Sequence, residues 1–265
     1  MNKTITRTSE VRLSRQPSEA AQRRLLSHWG DPFFIAGWER VLMIHFEVDP
    51  EVLQREVPFQ LDLLNGRAFV SAVAFTMIGM RPCHGGKLAE WLFRPLATHD
   101  FLNIRTYVRH QGESGIHFLA EWLSSRLAVK LGPATFGLPY RYGRIVYRHD
   151  GPNQMIQGQV VDVTSGCKLA YQAQCRDTPE AQPCEAGSLD EWLMERYTAF
   201  NSAGLVKRLF RVWHPPWPQC AATVTLADTS LLRLRWPWFQ HAHLLAANYS
   251  PGFNEVWMGR PHLAK

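Results

Sequence analysis

Apolar and polar residues alternate most regularly between Leu102 and Trp122. Leu102, Ile104, Thr106 and Val108 interleave with Asn103, Arg105, Tyr107 and Arg109. After Gln111-Gly112-Glu113-Ser114-Gly115, a turn-forming run, Ile116, Phe118, Ala120 and Trp122 interleave with His117, Leu119 and Glu121. A period of two predicts a β-hairpin with one apolar face and one charged face. A register symmetric about Glu113 sets Arg105 opposite Glu121 and Arg109 opposite His117.

The same reading gives strands over Arg40 to Val48 and over Ala68 to Met77, the second a run of Val, Phe and Ala with no polar alternation. Such a run belongs to a strand buried on both faces. Asp49-Pro50-Glu51 opens a short helix, with Asp49 as N-cap and Pro50 in its first turn, and Pro58 ends it. Residues 81–100, with Pro82, Gly85, Gly86 and Pro95, read as a long connection with one helical turn near Ala89 to Phe93. A short helix over Arg126 to Leu131 is followed by a turn at Pro133 to Pro139. Further strands are expected over 144–148, 155–163 and 168–175, with a polar linker over 177–187. Ser188-Leu189-Asp190-Glu191 is a capping box that opens a helix through about Ala199. Runs at 222–226 and 231–236 read as strands. Many short strands and few helices predict a mainly β, α+β fold: one closed or strongly curved sheet in a single domain over residues 31–265.

Composition narrows the function classes. The net charge is +6, but the first 30 residues hold six basic against two acidic side chains, leaving +2 for the other 235. That places the excess on a basic, Ser/Thr/Gln-rich arm over residues 1–30, expected to be flexible, and argues against a nucleic-acid surface on the folded body. No apolar stretch has the roughly 18 residues of a spanning helix, and the first 26 residues lack the core of a signal peptide, so no membrane is expected and the expected compartment is the cytoplasm. Five widely spaced cysteines with no C-x-x-C pair read as reduced thiols. A homo-oligomer is left open.

Motifs for common chemistries are missing. There is no phosphate-binding glycine loop and no G-x-S-x-G nucleophile elbow, so no cofactor is expected. His241 and His243 share a strand face without a carboxylate pair nearby, and no metal site is assigned. The polar side of the hairpin remains, with Asn103, Arg105, Tyr107, Arg109, His117 and Glu121. Facing outward, these side chains are a solvated sheet face; facing inward, they line a barrel and can hold a ligand bearing a carboxylate or carbonyl.

Several blocks carry a family resemblance: Gly37-Trp38, Asp49-Pro50-Glu51-x-Leu53, Asn65-Gly66-Arg67-Ala68, Asn103-Ile104-Arg105-Thr106-Tyr107-Val108, Phe136-Gly137-Leu138-Pro139-Tyr140, Glu195-Arg196-Tyr197, His214-Pro215-Pro216-Trp217-Pro218 and Tyr249-Ser250-Pro251-Gly252. In this order they resemble the uncharacterised DUF2071 (YqjF-like) family of the acetoacetate decarboxylase-like superfamily. The resemblance implies a curved antiparallel β-barrel with a few peripheral helices and a central cavity. For the wider superfamily it also implies decarboxylation or aldol chemistry through an imine on a lysine that follows a proline. Here the residues after Pro139 are Tyr140 and Arg141, and the imine-forming lysine is missing from that position. The expectation is therefore a pocket that binds a small organic acid or carbonyl compound non-covalently, lined by Asn103, Arg105, His117, Glu121, Tyr140 and Arg141. The alternative is a lyase-like enzyme using general acid/base residues or a displaced lysine such as Lys130.

Overall fold

A computed structural model describes residues 16–151, 155–176, 180–203 and 206–264. The helices are α1 (Gln16–Leu26), α2 (Pro50–Gln54), α3 (Gly86–Phe93), α4 (Arg126–Phe136), α5 (Leu189–Met194) and α6 (Ser230–Arg235). None is long and apolar enough to cross a membrane. The first strands are β1 (Phe34–Val48), β2 (Gln60–Leu61), β3 (Ala68–Pro82), β4 (His99–His110), β5 (Glu113–Leu123), β6 (Tyr140–Arg148) and β7 (Ile156–Asp162). They are followed by β8 (Lys168–Cys175), β9 (Gln182–Pro183), β10 (Thr198–Ala203), β11 (Val206–Trp213), β12 (Pro218–Asp228), β13 (His243–Met258) and β14 (His262–Leu263).

Five strands, in the order β13-β1-β3-β4-β5, form a wall that is used twice. On one side β6, β7, β8 and β12 close it into a nine-strand barrel. On the other side β10 pairs with β5, β11 pairs with β13, and β10 pairs with β11, closing a second, smaller ring. The sheet forks at both edges of the wall. Along β5, Ile116 and His117 pair with β10 whereas Glu121 to Leu123 pair with β6. Along β13, Ala247 to Tyr249 pair with β12 whereas Trp257 and Met258 pair with β11.

This double use explains the unbroken apolar run of β3, buried at every position from Ala68 to Met77. Ala68, Val70, Ala72 and Ala74 join Leu42, Ile44, Phe46, Val160, Leu169 and Tyr171 in the packed core of the nine-strand barrel. Phe69, Val73, Phe75 and Met77 face the smaller ring with Val41, Met43, Phe210 and Val212. The outer strands β7 and β8 bury one face and keep the alternation of a half-solvated sheet.

Several expectations change. The basic arm assigned to residues 1–30 is helical over Gln16–Leu26, and that helix is docked: Leu25 is fully buried and Ser18 Oγ donates to the His214 carbonyl at 2.8 Å. Residues 1–15 lie outside the described residues. The capped helix stops at Met194 because Glu195 leaves helical geometry, and 198–203 is a strand. Leu231 to Trp236, read as a strand, is α6 instead, started where Asp228 Oδ1 accepts from Ser230 N. Two cysteines far apart in sequence meet: Cys220 and Cys175 place their sulfurs 2.7 Å apart.

The hairpin register also differs. Its turn is the two residues Gln111-Gly112, both at positive φ (50° and 80°), the type I′ signature that matches the twist of paired strands. Asn103 therefore sits opposite Glu121, Arg105 opposite Phe118, and Arg109 opposite Ser114. A bulge between Ile104 and Arg105 on this ladder leaves Leu119 as an extra residue on β5. Every β5 side chain before the bulge thus faces opposite to what strict alternation predicts for the residues after it.

A cavity behind the barrel wall

The smaller ring encloses a cavity of about 110 Å³, roofed in part by α4. Its lining is mostly apolar, with Trp38, Met43, Phe75, Met77, Phe101 and Trp217 prominent. Phe75 and Phe101 stack with ring centroids 5.0 Å apart, and Trp38 and Trp217 with centroids 6.4 Å apart. Into this shell project Asn103, Arg105, Glu121, Tyr140 and Arg196.

Asn103 and Arg105 reach it from β4 and Glu121 from β5, each almost fully buried. Arg105 Nη2 donates to the Leu193 carbonyl at 3.3 Å and contacts Met43 Sδ at 3.6 Å, and its Nε has no partner. Among the described residues it forms no ion pair. Burial raises the Glu121 carboxyl well above the usual carboxylate range, and its Oε2 is unpartnered. The Tyr140 phenol is likewise pushed well above its ordinary value, by burial first and by the neighbouring Glu121 second. Gly132 of α4 lies flat against the Tyr140 ring, where a Cβ would collide with it.

Arg196 follows the break in α5. Its Nη1 donates to Asp62 Oδ2 at 2.8 Å in a buried ion pair, and its guanidinium lies 4.1 Å from the Trp192 ring centroid. Asp62 also receives Arg109 at 3.0 Å, so two guanidinium groups hold its carboxyl below the usual range against the opposing effect of burial. Nη2 of Arg196, which lines the cavity, is left without a partner. Beside it, Glu195 accepts from Trp217 N at 2.7 Å and from the Tyr197 hydroxyl at 2.5 Å. The Tyr197 ring stacks on His214 with centroids 4.7 Å apart. Two sequence blocks, 195–197 and 214–218, thus lock into one cavity wall.

A buried polar chain runs down the same face. Tyr107 gives its single hydroxyl proton to the Leu193 carbonyl at 3.0 Å. It must therefore accept from Ser71 Oγ at 2.6 Å, which in turn accepts from His45 Nδ1 at 2.7 Å. His45 is fully buried, and burial with the nearby Arg105 charge lowers its pKa to about 3. His214 is lowered to about 4, chiefly by burial and also by Arg105.

Two sequence-predicted site residues lie elsewhere. His117, on the far side of the bulge, points to the opposite face, where its ring is 5.5 Å from Phe59 and its Nδ1 is 3.0 Å from the Phe200 carbonyl. Arg141 follows Tyr140 on an extended strand and so takes the other face, in a separate groove with Trp122, Asp162 and Arg235. Asn103, Arg105, Glu121 and Tyr140 do converge. Arg196, His45 and Trp217 were not singled out as site residues. The signal for two of them lay in blocks quoted for the resemblance, as Glu195-Arg196-Tyr197 and His214 to Pro218.

None of the four described lysines lines the cavity. Lys87 and Lys130 are exposed on α3 and α4, Lys168 is 3.6 Å from Asp228, and the Lys207 ammonium lies over the Phe59 ring. Among the described residues there is also no group of three His, Cys, Asp or Glu side chains placed to hold a metal ion.

The chain belongs to the DUF2071 family of uncharacterized conserved proteins, whose profile matches residues 36–252. It is 31% identical over 188 residues to the uncharacterized protein YqjF of Bacillus subtilis strain 168, a match covering 68% of this chain and 72% of that one. Among solved structures it is similar to the enduracididine biosynthesis enzyme MppR, complexed with the condensation product of pyruvate and imidazole 4-carboxaldehyde. That likeness has a TM-score of 0.59 at 15% identity, over 88% of this chain and 90% of that one. It is also similar to an acetoacetate decarboxylase-like enzyme from Sphingomonas wittichii RW1, with a TM-score of 0.56 at 16% identity over 89% and 94% of the two chains. At these identities the likeness concerns the fold, and the expected acetoacetate decarboxylase-like β architecture is borne out.

Proposed function

We propose that this DUF2071 protein binds a small organic acid or carbonyl compound non-covalently in the cavity behind the barrel wall. One observation carries the reading: the Arg105 guanidinium is buried in an apolar shell with no carboxylate partner, on the lining of a cavity that also holds a glutamic acid favoured by burial in its neutral form. An uncompensated buried cation costs several kcal/mol, and an anionic ligand offsets that cost. Arg196 does not supply the same pull, because Asp62 already neutralises it. The MppR neighbour, also solved in complex with pyruvate, supports an oxo acid as an occupant of this architecture.

With none of the described lysines on the lining, the ligand is held by hydrogen bonds and charge rather than through an imine. The test is a thermal-shift panel of oxo and hydroxy acids on the wild type and on Arg105→Ala. Saturating acid at about a hundredfold excess over Kd should stabilise the wild type by about 2.7 kcal/mol and leave the variant unmoved. Equal shifts in both proteins would refute the reading. Borohydride treatment with the same acids should leave the intact mass unchanged.

A second reading is favoured by the pairing of Glu121 with Tyr140, two groups disposed to keep their protons and facing one hollow. Such a pair can act as general acid in a lyase-type cleavage of an oxo acid. Release of carbon dioxide from a β-oxo acid, lost in Glu121→Gln, would establish it. Lys130 plays no part in this version, being on the exposed side of α4.

A further inference from the structure

The face of β6 that turns away from the cavity carries a second cluster of charge. Arg141, paired with Trp122 on β5, lines an open groove of about 180 Å³ together with Asp162, Thr164 and Arg235. Leu231 and Leu232 of α6 are seated in the core of the nine-strand barrel, and the last turn of that helix brings Arg235 to the groove. A neighbouring hollow shares Arg141 and Thr164 and continues along Tyr142, whose ring lies 4.8 Å from the Arg126 guanidinium. Arg235 is exposed and Arg141 half-buried, so both can be reached from solvent.

The acid on this lining is already committed. Asp162 Oδ1 accepts from Thr164 N at 3.0 Å, Ser165 N at 2.7 Å and Ser165 Oγ at 3.0 Å, and Oδ2 accepts from Trp122 Nε1 at 2.8 Å. Burial raises its carboxyl, and these bonds outweigh burial and hold it below the usual range. Among the described residues no ion pair joins a carboxylate to Arg141 or Arg235. Burial first and the Arg141 charge second depress the Arg235 guanidinium, and Glu56 and Asp162 offset them only in part. Two guanidinium groups thus share one groove with nothing bridging them. Each presents five N–H donors in a planar fork, and a single fork already saturates a carboxylate. Two forks suit an oxyanion with at least three acceptor oxygens and a charge of about −2, as a phosphate group has at neutral pH.

We propose that Arg141 and Arg235 form a site for a phosphate group, free or as a monoester, separate from the organic-acid cavity. The phosphate lies between the two guanidinium groups, with the Thr164 hydroxyl at its edge and Leu234 beside any organic part. The site does not depend on what the cavity binds.

The experiment is isothermal titration of the full chain at low ionic strength with inorganic phosphate and phenyl phosphate, repeated on Arg141→Gln, Arg235→Gln and Arg105→Ala. Acetate is titrated into Arg105→Ala, where the cavity no longer competes for it. The expected result is one saturable phosphate site, at least about tenfold weaker in either groove variant and unchanged in Arg105→Ala, with acetate at least about tenfold weaker than phosphate. Affinity should also rise from about pH 5 to about pH 7 as phosphate takes its second charge. Tighter binding of phenyl phosphate than of inorganic phosphate assigns the site to a monoester, and the reverse order assigns it to the free ion. Phosphate that does not saturate, that binds both groove variants as it binds the wild type, or that acetate matches would overturn the proposal. Loss of phosphate binding in Arg105→Ala alone would place the ion in the cavity and overturn it too, while leaving the organic-acid reading intact. If Arg141→Gln does not fold, Arg235→Gln, at the exposed end of α6, decides the matter.

Discussion

Replacing Glu121 with glutamine tests the electrostatic logic of the cavity without altering its shape. Burial sets the folded pKa of Glu121 well above the ordinary 4.5, so the native state keeps a proton that the unfolded chain releases. A group raised in this way contributes fully below its unfolded pKa and withdraws its contribution as pH rises toward the folded value. The wild type therefore loses stability from about pH 4.5 upward through Glu121, and a glutamine at this position does not. At low pH the neutral acid and the amide are nearly the same size and polarity, so the two proteins should be almost equally stable. Above that point the variant gains on the wild type by about 1.4 kcal/mol per pH unit until the folded pKa is passed.

Urea denaturation of both proteins at several values between about pH 4 and pH 8 gives the difference directly, provided the m-values agree. A difference that does not change with pH would refute the reasoning. So would a variant that is less stable throughout, since that means an ionised Glu121 paired with Arg105 and a cavity with no net charge. Acid binding adds a second measure: Glu121→Gln removes one hydrogen bond and should weaken binding by no more than about tenfold, whereas removal of Arg105 abolishes it.

Three other substitutions or conditions follow from the same geometry. Asp62→Asn leaves the buried Arg196 without its counterion and should cost about 3–5 kcal/mol by chemical denaturation, with loss of the cavity wall at Trp192. Gly252→Ala puts a Cβ onto the Trp38 carbonyl at a backbone φ of +95°, where β13 bends past β1, and should lower stability by more than about 1 kcal/mol in calorimetry. Buried neutral histidines should make the fold acid-labile: His99, His149 and His214 are lowered to about 4 and His45 to about 3. Their contribution is complete above the ordinary value of 6.5 and falls as pH drops toward those values, by about 1.4 kcal/mol per pH unit for each, measurable as a fall in Tm from pH 7 to pH 5.

The strands of the wall were legible because β3 and the hairpin carry their burial in their spacing. What escaped the sequence was parity. Strict alternation put His117 and Glu121 on one face, and a single extra residue at Leu119 separated them, because a bulge leaves no trace in the pattern of apolar residues. The register failed for a related reason: Gln111-Gly112 closes the turn in two residues, where the polar run to Gly115 suggested five. Arg141 was misplaced by taking the neighbour of Tyr140 as its companion, although neighbours on a strand point apart. Arg196 was hidden by the end of α5, since the capping box predicted a helix running past it while Glu195 turns the chain to meet Trp217.

The doubled wall also separates structural from functional polarity. A strand that buries both faces cannot carry polar side chains as surface residues, so each one on it is either satisfied by protein or open to a guest. Ser71 and Tyr107 belong to the first kind, because the hydrogen bonds run from the His45 ring to hydroxyl to hydroxyl and end on the Leu193 carbonyl. Arg105, two residue pairs beyond Tyr107 on the β4–β5 ladder, and Asn103 with Glu121, four pairs beyond it, end in atoms with no partner. The bulge, between Arg105 and the Asn103–Glu121 pair, is also where the sheet forks from β10 to β6 and the two hollows part. A fork cannot continue the ladder to both partners at once, and the bulge there turns Glu121 toward the cavity and Trp122 into the packed barrel. The same local irregularity that closes two rings on one wall therefore brings the acid of the site onto the cavity lining that its arginine shares.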